Sequence, residues 1–245
     1  MVRNIKVIIG FLAVAVLMTT GCKNPVSPET IATPSGVTAM FSDGFGGGLS
    51  NYERTYMINT GDFYAQMRIT ADAAHSGTHS ITSDSNRSAL EHDFKPALNR
   101  DTVAGTNVVG VQFYIMAKSS GQTNFTVQIG KNAGSSGGLG KEFGLGFDKS
   151  DSIKCVFYNL DDMTPQQDSL LAPIQLNHWY KCVVEINFAA NSVAYYLDDV
   201  LVKNMALSFD LKTMYGIDRL LVFRGMEGAE GSKPYYADDI VVYKK

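Results

Sequence analysis

The sequence predicts an all-β fold: an antiparallel β-sandwich of short strands, with few, short helices. Three observations lead there. From about residue 40 onward, apolar and polar residues alternate with period two in short stretches. Clusters of Gly, Asn, Asp and Ser separate those stretches, and the 23 glycines exceed what helical proteins use. No long window carries an apolar i, i+3, i+4, i+7 stripe with caps at both ends.

Composition bounds the rest. A chain of 245 residues with 45% hydrophobic content has the make-up of a folded globule, with room for one large domain. A net charge of −3 and the lack of any Lys/Arg run leave no electrostatic footprint for nucleic acid.

Taken in order, residues 1–21 read as a signal peptide: Arg3 and Lys6 precede the apolar run Val7 to Met18 and the small residues Thr19-Thr20-Gly21. That run of about 12 residues is shorter than the ~20 needed to cross a bilayer. Small residues directly before Cys22 resemble the bacterial lipobox, with Thr19 where leucine is usual. The resemblance implies lipid attachment at Cys22; a plain secretory signal is the alternative. Lys23, not Asp, follows the cysteine, and in lipoproteins of two-membrane bacteria this permits transport to the outer membrane. Residues 22–39 hold Pro25, Pro28 and Pro34 among small polar residues, the composition of a tether that buries little. Residues 40–245 are then the β-sandwich domain.

Within it the clearest strands are 63–70, 88–94, 108–117, 124–129, 141–147, 153–159, 179–188, 192–197, 218–224 and 235–243. Ten or more strands joined mostly by short turns suit a sandwich or barrel better than an α/β domain. Loops are expected at 119–123, 131–140, 161–172 and 225–233.

Three segments carry a resemblance. His75-Ser76-Gly77-Thr78-His79-Ser80-Ile81 looks like the early "A-H-S-G-x-x-S" segment of concanavalin A-like, LamG-type jelly-roll domains. Trp179-Tyr180-Lys181 followed by Tyr195-Tyr196-Leu197-Asp198-Asp199-Val200 is similar to their Trp and "Y-x-D-G" hairpin, with Asp199 where glycine is usual. Tyr235-Tyr236-Ala237-Asp238-Asp239-Ile240-Val241-Val242 resembles their closing strand. The chain is thus similar to a concanavalin A-like jelly-roll domain of a bacterial lipoprotein. That resemblance implies glycan binding, glycoside hydrolysis or polysaccharide lysis, and a structural Ca²⁺ between the first and last strands. Asp43, with Asp238 or Asp239, supplies the matching acids. Alternation back from Val242 and Ile240 puts Asp238 on their face, where a hard cation would offset the cost of a buried carboxylate; hydrogen bonding without metal is the alternative.

The enzymes of this fold carry strings that the sequence lacks: Glu-x-Asp-x-x-Glu for glucanases, Arg-x-Glu-x-Arg and Gln-Ile-His for lyases. Glu91 and Asp93 stand at i and i+2, on one face of a strand, and read as solvated acids of an edge strand. The nearest lyase-like strings are Arg87-Ser88-Ala89-Leu90-Glu91 and Val127-Gln128-Ile129-Gly130. His75, His79, His92 and His178 show no metal-ligand spacing. Trp179, at the head of an apolar strand, reads as a core plug. Cys155 and Cys182 both alternate inward, either as a disulfide or as small core residues.

Turning Val111, Phe113 and Ile115 inward leaves Gln112 and Tyr114 outward; the same reasoning sends Gln128, Tyr64 and Arg68 outward from their strands. Tyr64, Arg68, Gln112, Tyr114 and Gln128 therefore form the expected glycan-binding face, Tyr114 as a platform for a sugar ring and Arg68 for a sugar carboxylate. The expected function is that of an envelope-anchored, non-catalytic carbohydrate-binding lipoprotein with polysaccharide and membrane as partners. The alternatives are a lyase or hydrolase acting on the concave sheet, and a structural envelope protein without ligand. Intact-mass measurement is expected to show an acyl-modified N-terminal Cys22, and Cys22→Ala to release the protein from the detergent phase; an unacylated N-terminal residue would refute the anchor.

Overall fold

The computed structural model describes residues 31–52, 54–56, 67–83, 88–98, 107–120, 124–131, 140–159, 164–165, 169–211, 216–224 and 235–245. The strands are β1 (Thr38–Asp43), β2 (Arg54–Tyr56), β3 (Met67–Thr70), β4 (Ser80–Ser83), β5 (Ser88–Leu98), β6 (Val108–Ala117), β7 (Phe125–Lys131) and β8 (Lys141–Asp148). They continue with β9 (Ser152–Asn159), β10 (Thr164–Pro165), β11 (Ser169–Pro173), β12 (Tyr180–Asn187), β13 (Ser192–Leu197), β14 (Val200–Ala206), β15 (Ile217–Arg224) and β16 (Tyr235–Lys244).

They form two antiparallel sheets. Sheet A runs β14-β13-β12-β6-β16-β4-β3, with β1 also on β16; sheet B runs β10-β9-β8-β7-β15-β5-β2, with β11 also on β9. Every pairing is antiparallel, and the strand order is far from chain order, as in a jelly roll. The alternation read from sequence decides the packing. Val111, Phe113, Ile115, Val184 and Ile186 of sheet A meet Phe125, Val127, Phe143, Leu145, Phe147 and Val222 of sheet B in one core, all fully buried. The jelly-roll sandwich is therefore the observed fold, and no α-helix occurs among the described residues.

Four readings change. The segment 161–172 is not all loop, because Ser169–Pro173 pairs with β9. The tether does not simply extend into solvent: Ile31 and Val37 pack on the outer face of sheet A against Val183, Val241 and Tyr243. Trp179 is no core plug. It precedes β12, half-buried, and the next residue, Tyr180, takes the inward place. Strand β5 is not an edge strand, since it lies between β15 and β2, and Glu91 is 1% exposed.

Alternation also breaks inside β16. Tyr235 and Ala237 face the core, but so do Ile240 and Val242, so the inward parity changes between 237 and 240. A bulge between Asp238 and Val241, with Asp239 at φ 48°, absorbs the extra residue. Counting back from Val242 therefore misplaces Asp238, which pairs with Tyr114 and shares its outer face. The bulge falls where β16 changes partner, from β4 at 236–237 to β1 at 240–244.

Cys155 on β9 and Cys182 on β12 are free, buried thiols in opposite sheets, so the small-core-residue alternative is the observed one. Burial pushes both thiol pKa values up, most strongly for Cys182. Thiol titration is expected to find both cysteines unreactive in the folded protein and both reactive after denaturation without reductant; a denatured count of none would restore the disulfide.

Candidate functional site

The expected glycan-binding residues divide between two faces. Gln112 and Tyr114 point outward from β6, two residues apart on sheet A. Arg68 is exposed on the same face of β3, but β16 and β4 intervene, three strand spacings or about 14 Å away. Gln128 lies on β7 and so belongs to the outer face of sheet B, across the whole core from the other three. Tyr64 lies outside the described residues, as does Cys22. On β3, β6 and β7 the alternation places Arg68, Gln112, Tyr114 and Gln128 outward, as expected. The face each strand joins was a matter of sheet membership, which alternation does not carry.

On sheet A, Tyr114 is not an open platform. The His75 ring stacks on it at 3.5 Å between centroids and 14° between planes, and Trp179 meets His75 edge-on at 5.9 Å. His75 is held by the β16 bulge: its Nδ1 lies 2.7 Å from Asp239 Oδ2, and its backbone N donates to Asp238 Oδ2 at 2.7 Å. Ser76 Oγ donates to Asp239 Oδ1 at 2.7 Å, and Asp239 N donates to Asp238 Oδ1 at 2.8 Å. Asp43 at the end of β1 accepts from Phe45 N at 2.7 Å and from Asn51 Nδ2 at 3.2 Å. Each oxygen of the three carboxylates thus already faces a protein partner. No group of three or more His, Cys, Asp or Glu among the described residues is placed to hold a metal ion. Hydrogen bonds within the chain reach all three acids, which lowers the cost of their burial.

On sheet B the outer face carries charge that is nonetheless buried. Arg219 of β15 sits between two carboxylates, its Nη2 2.8 Å from Glu142 Oε1 of β8 and its Nη1 3.9 Å from Glu91 Oε1 of β5. Gln128 shares this face, directly opposite Leu221 in the register, with Nε2 donating to Thr126 Oγ1 at 2.7 Å. Its Oε1 is buried without a hydrogen-bond donor among the described residues. Beside it the Gln128 side chain fills the space at Gly144, where a Cβ would come within 2.5 Å of Val127 O and 2.7 Å of Gln128 Cγ. Burial raises the Glu142 pKa to about 7; Arg219 opposes the rise, and the carboxylates of Glu91 and Asp218 add to it. Burial, then the charge of Asp239, likewise raises Asp238 to about 7 on the other face.

The site signal that sequence reasoning missed is Glu142 with Arg219. They are far apart in the chain and join only because β8 and β15 flank β7. Glu91 and Gln128 lay in the two strings singled out as nearest to lyase motifs.

No protein-family model matches the chain, and no curated protein matches it in sequence. Solved structures do match in fold. A conserved carbohydrate esterase from Shiga toxin-encoding bacteriophage phi24B superposes with a TM-score of 0.59 at 14% identity, over 86% of this chain and 100% of its own. Cellulose-induced protein Cip1 gives 0.54 at 15% identity, over 82% and 96%. SCLam, a non-specific endo-β-1,3(4)-glucanase from family GH16, gives 0.52 at 11% identity, over 89% and 94%. At these identities the likeness is one of fold, and it agrees with the concanavalin A-like sandwich.

Glu142 and Asp238 bind their protons more tightly folded than unfolded, where carboxyl pKa values lie near 4. Their contribution to stability is therefore complete below about pH 4 and lost as pH rises through about 7. Between pH 5.5 and pH 8, Glu142→Gln is expected to change the pH dependence of urea-unfolding stability by on the order of 1–3 kcal/mol relative to wild type. Identical pH profiles would show that Glu142 does not titrate abnormally.

Proposed function

We propose that this protein is a carbohydrate-binding domain that meets its glycan on the outer face of sheet B and is held at the bacterial envelope through Cys22. The observation that carries the reading is the buried Glu91–Arg219–Glu142 cluster with the unsatisfied carbonyl of Gln128 beside it. Removing such ions from water costs several kcal/mol each, and their mutual attraction repays this poorly compared with apolar packing. Stability alone does not account for such a cluster on a sheet face that Leu or Val would cover as well.

The groups themselves suit a sugar. Carboxylates and an amide carbonyl accept from hydroxyls, and a guanidinium donates to them. Similarity in fold to a carbohydrate esterase and to a β-glucanase supports the same class of partner. Arg219 is already balanced by two carboxylates, which favours a neutral glycan over a uronate.

Glycoside hydrolysis is the second reading, favoured by one fact: Glu142, with a pKa near 7, stands across Arg219 from a second carboxylate, Glu91. A carboxyl that keeps its proton near neutrality is what a general acid requires.

One experiment separates them. Binding of a panel of soluble neutral polysaccharides is measured by affinity electrophoresis, with a reducing-end assay run in parallel. Glycan binding without catalysis predicts retardation by at least one polysaccharide and no new reducing ends. Glu142→Gln and Gln128→Ala are then expected to weaken binding by roughly 1–3 kcal/mol, about 5- to 150-fold. New reducing ends that vanish in Glu142→Gln would establish the hydrolase. Wild-type affinity in both variants would move the site off sheet B.

A further inference from the structure

The outer face of sheet A carries a feature that the sheet B reading does not use. A groove of about 250 Å³ opens over Gln112 between the ends of β6, β12, β13 and β16. Gln112 is only 5% exposed, and its amide has no hydrogen bond among the described residues and lines the groove. An amide that lines an opening is a donor and an acceptor offered to whatever enters.

The walls say what that is. The ring of Tyr243 lies flat over Gly110, where a Cβ would fall 2.4 Å from its Cζ, and its hydroxyl is committed to Glu185 Oε1 at 2.8 Å. Tyr196, half-buried, gives the groove a second aromatic side. The charges at the rim are matched within the protein. Lys181 Nζ is 2.6 Å from Asp199 Oδ1, and Lys245 Nζ is 2.8 and 3.0 Å from the two oxygens of Glu185. The groove is therefore aromatic at its sides, amide at its floor and neutral overall. Its volume is below the ~300–1,000 Å³ of sites for drug-sized ligands, so it takes one ring and not an oligosaccharide.

We infer that this groove is a second carbohydrate site, specific for a single neutral pyranose unit. A pyranose presents an apolar C–H face to a tyrosine ring and adjacent hydroxyls that both donate to and accept from the Gln112 amide. The paired rim charges offer no surplus cation to a uronate or sialate carboxylate. Pro34 lines the groove, so the docked segment 31–37 forms part of the site. The core separates this groove from the Glu142 cluster, and the inference stands or falls apart from the proposal for sheet B. If both hold, one domain grips glycan on two opposite faces.

The test uses saturation-transfer NMR on the purified protein, with the methyl glycosides of glucose, galactose and mannose as probes and methyl glucuronide as the charged control. At least one neutral glycoside is expected to show transfer, and the glucuronide none. Gln112→Met, which keeps the volume and removes the amide, is expected to weaken binding at least tenfold. Tyr196→Ala removes the half-buried aromatic wall and is expected to weaken binding likewise, so the inference does not rest on one variant. Leu170→Ala, at an exposed position of β11 outside both sites, is expected to leave binding of these monosaccharides unchanged. Transfer from no neutral glycoside overturns the inference, as does unchanged binding in Gln112→Met and Tyr196→Ala, or loss in Leu170→Ala.

Discussion

The bulge at Asp238–Asp239 is the constraint on which the rest of sheet A depends. Strand β16 pairs along one edge with β6 and along the other with β4 and then β1, so it must hand over between two neighbours midway. An extra residue at that point leaves backbone groups outside the ladder, a cost that needs local hydrogen bonds to offset it. The two aspartates make them. Their carboxylates take the backbone and side chains of His75 and Ser76, which fixes the turn between β3 and β4, and His75 in turn covers Tyr114. Closing strand, early turn and central strand are thus joined through two adjacent residues.

The two outer faces differ in electrostatics. Sheet B buries Arg219 between the carboxylates of Glu142 and Glu91, while sheet A pairs the charges at the rim of its groove, Lys181 with Asp199 and Lys245 with Glu185. Beside each stands an amide, Gln128 on sheet B and Gln112 on sheet A, of the kind that sugar hydroxyls satisfy.

Strand character, the inward set Val111, Phe113 and Ile115, and the outward positions of Gln112, Tyr114 and Gln128 were determined by the sequence itself, because period-two alternation is a local property of extended backbone. The His75 segment, the Trp179 hairpin and the closing strand were legible for the same reason, as short contiguous strings. Which sheet each strand joins was decided only by the tertiary structure. That choice put Gln128 across the core from Gln112, brought Glu142 and Arg219 together from distant parts of the chain, and drew Glu91 from a supposed edge into a buried cluster. Asp238 shows the same limit within one strand. Alternation assumes an unbroken pleat, and a bulge set by the pairing of β16 with two successive neighbours is a long-range event that leaves no mark in the local pattern.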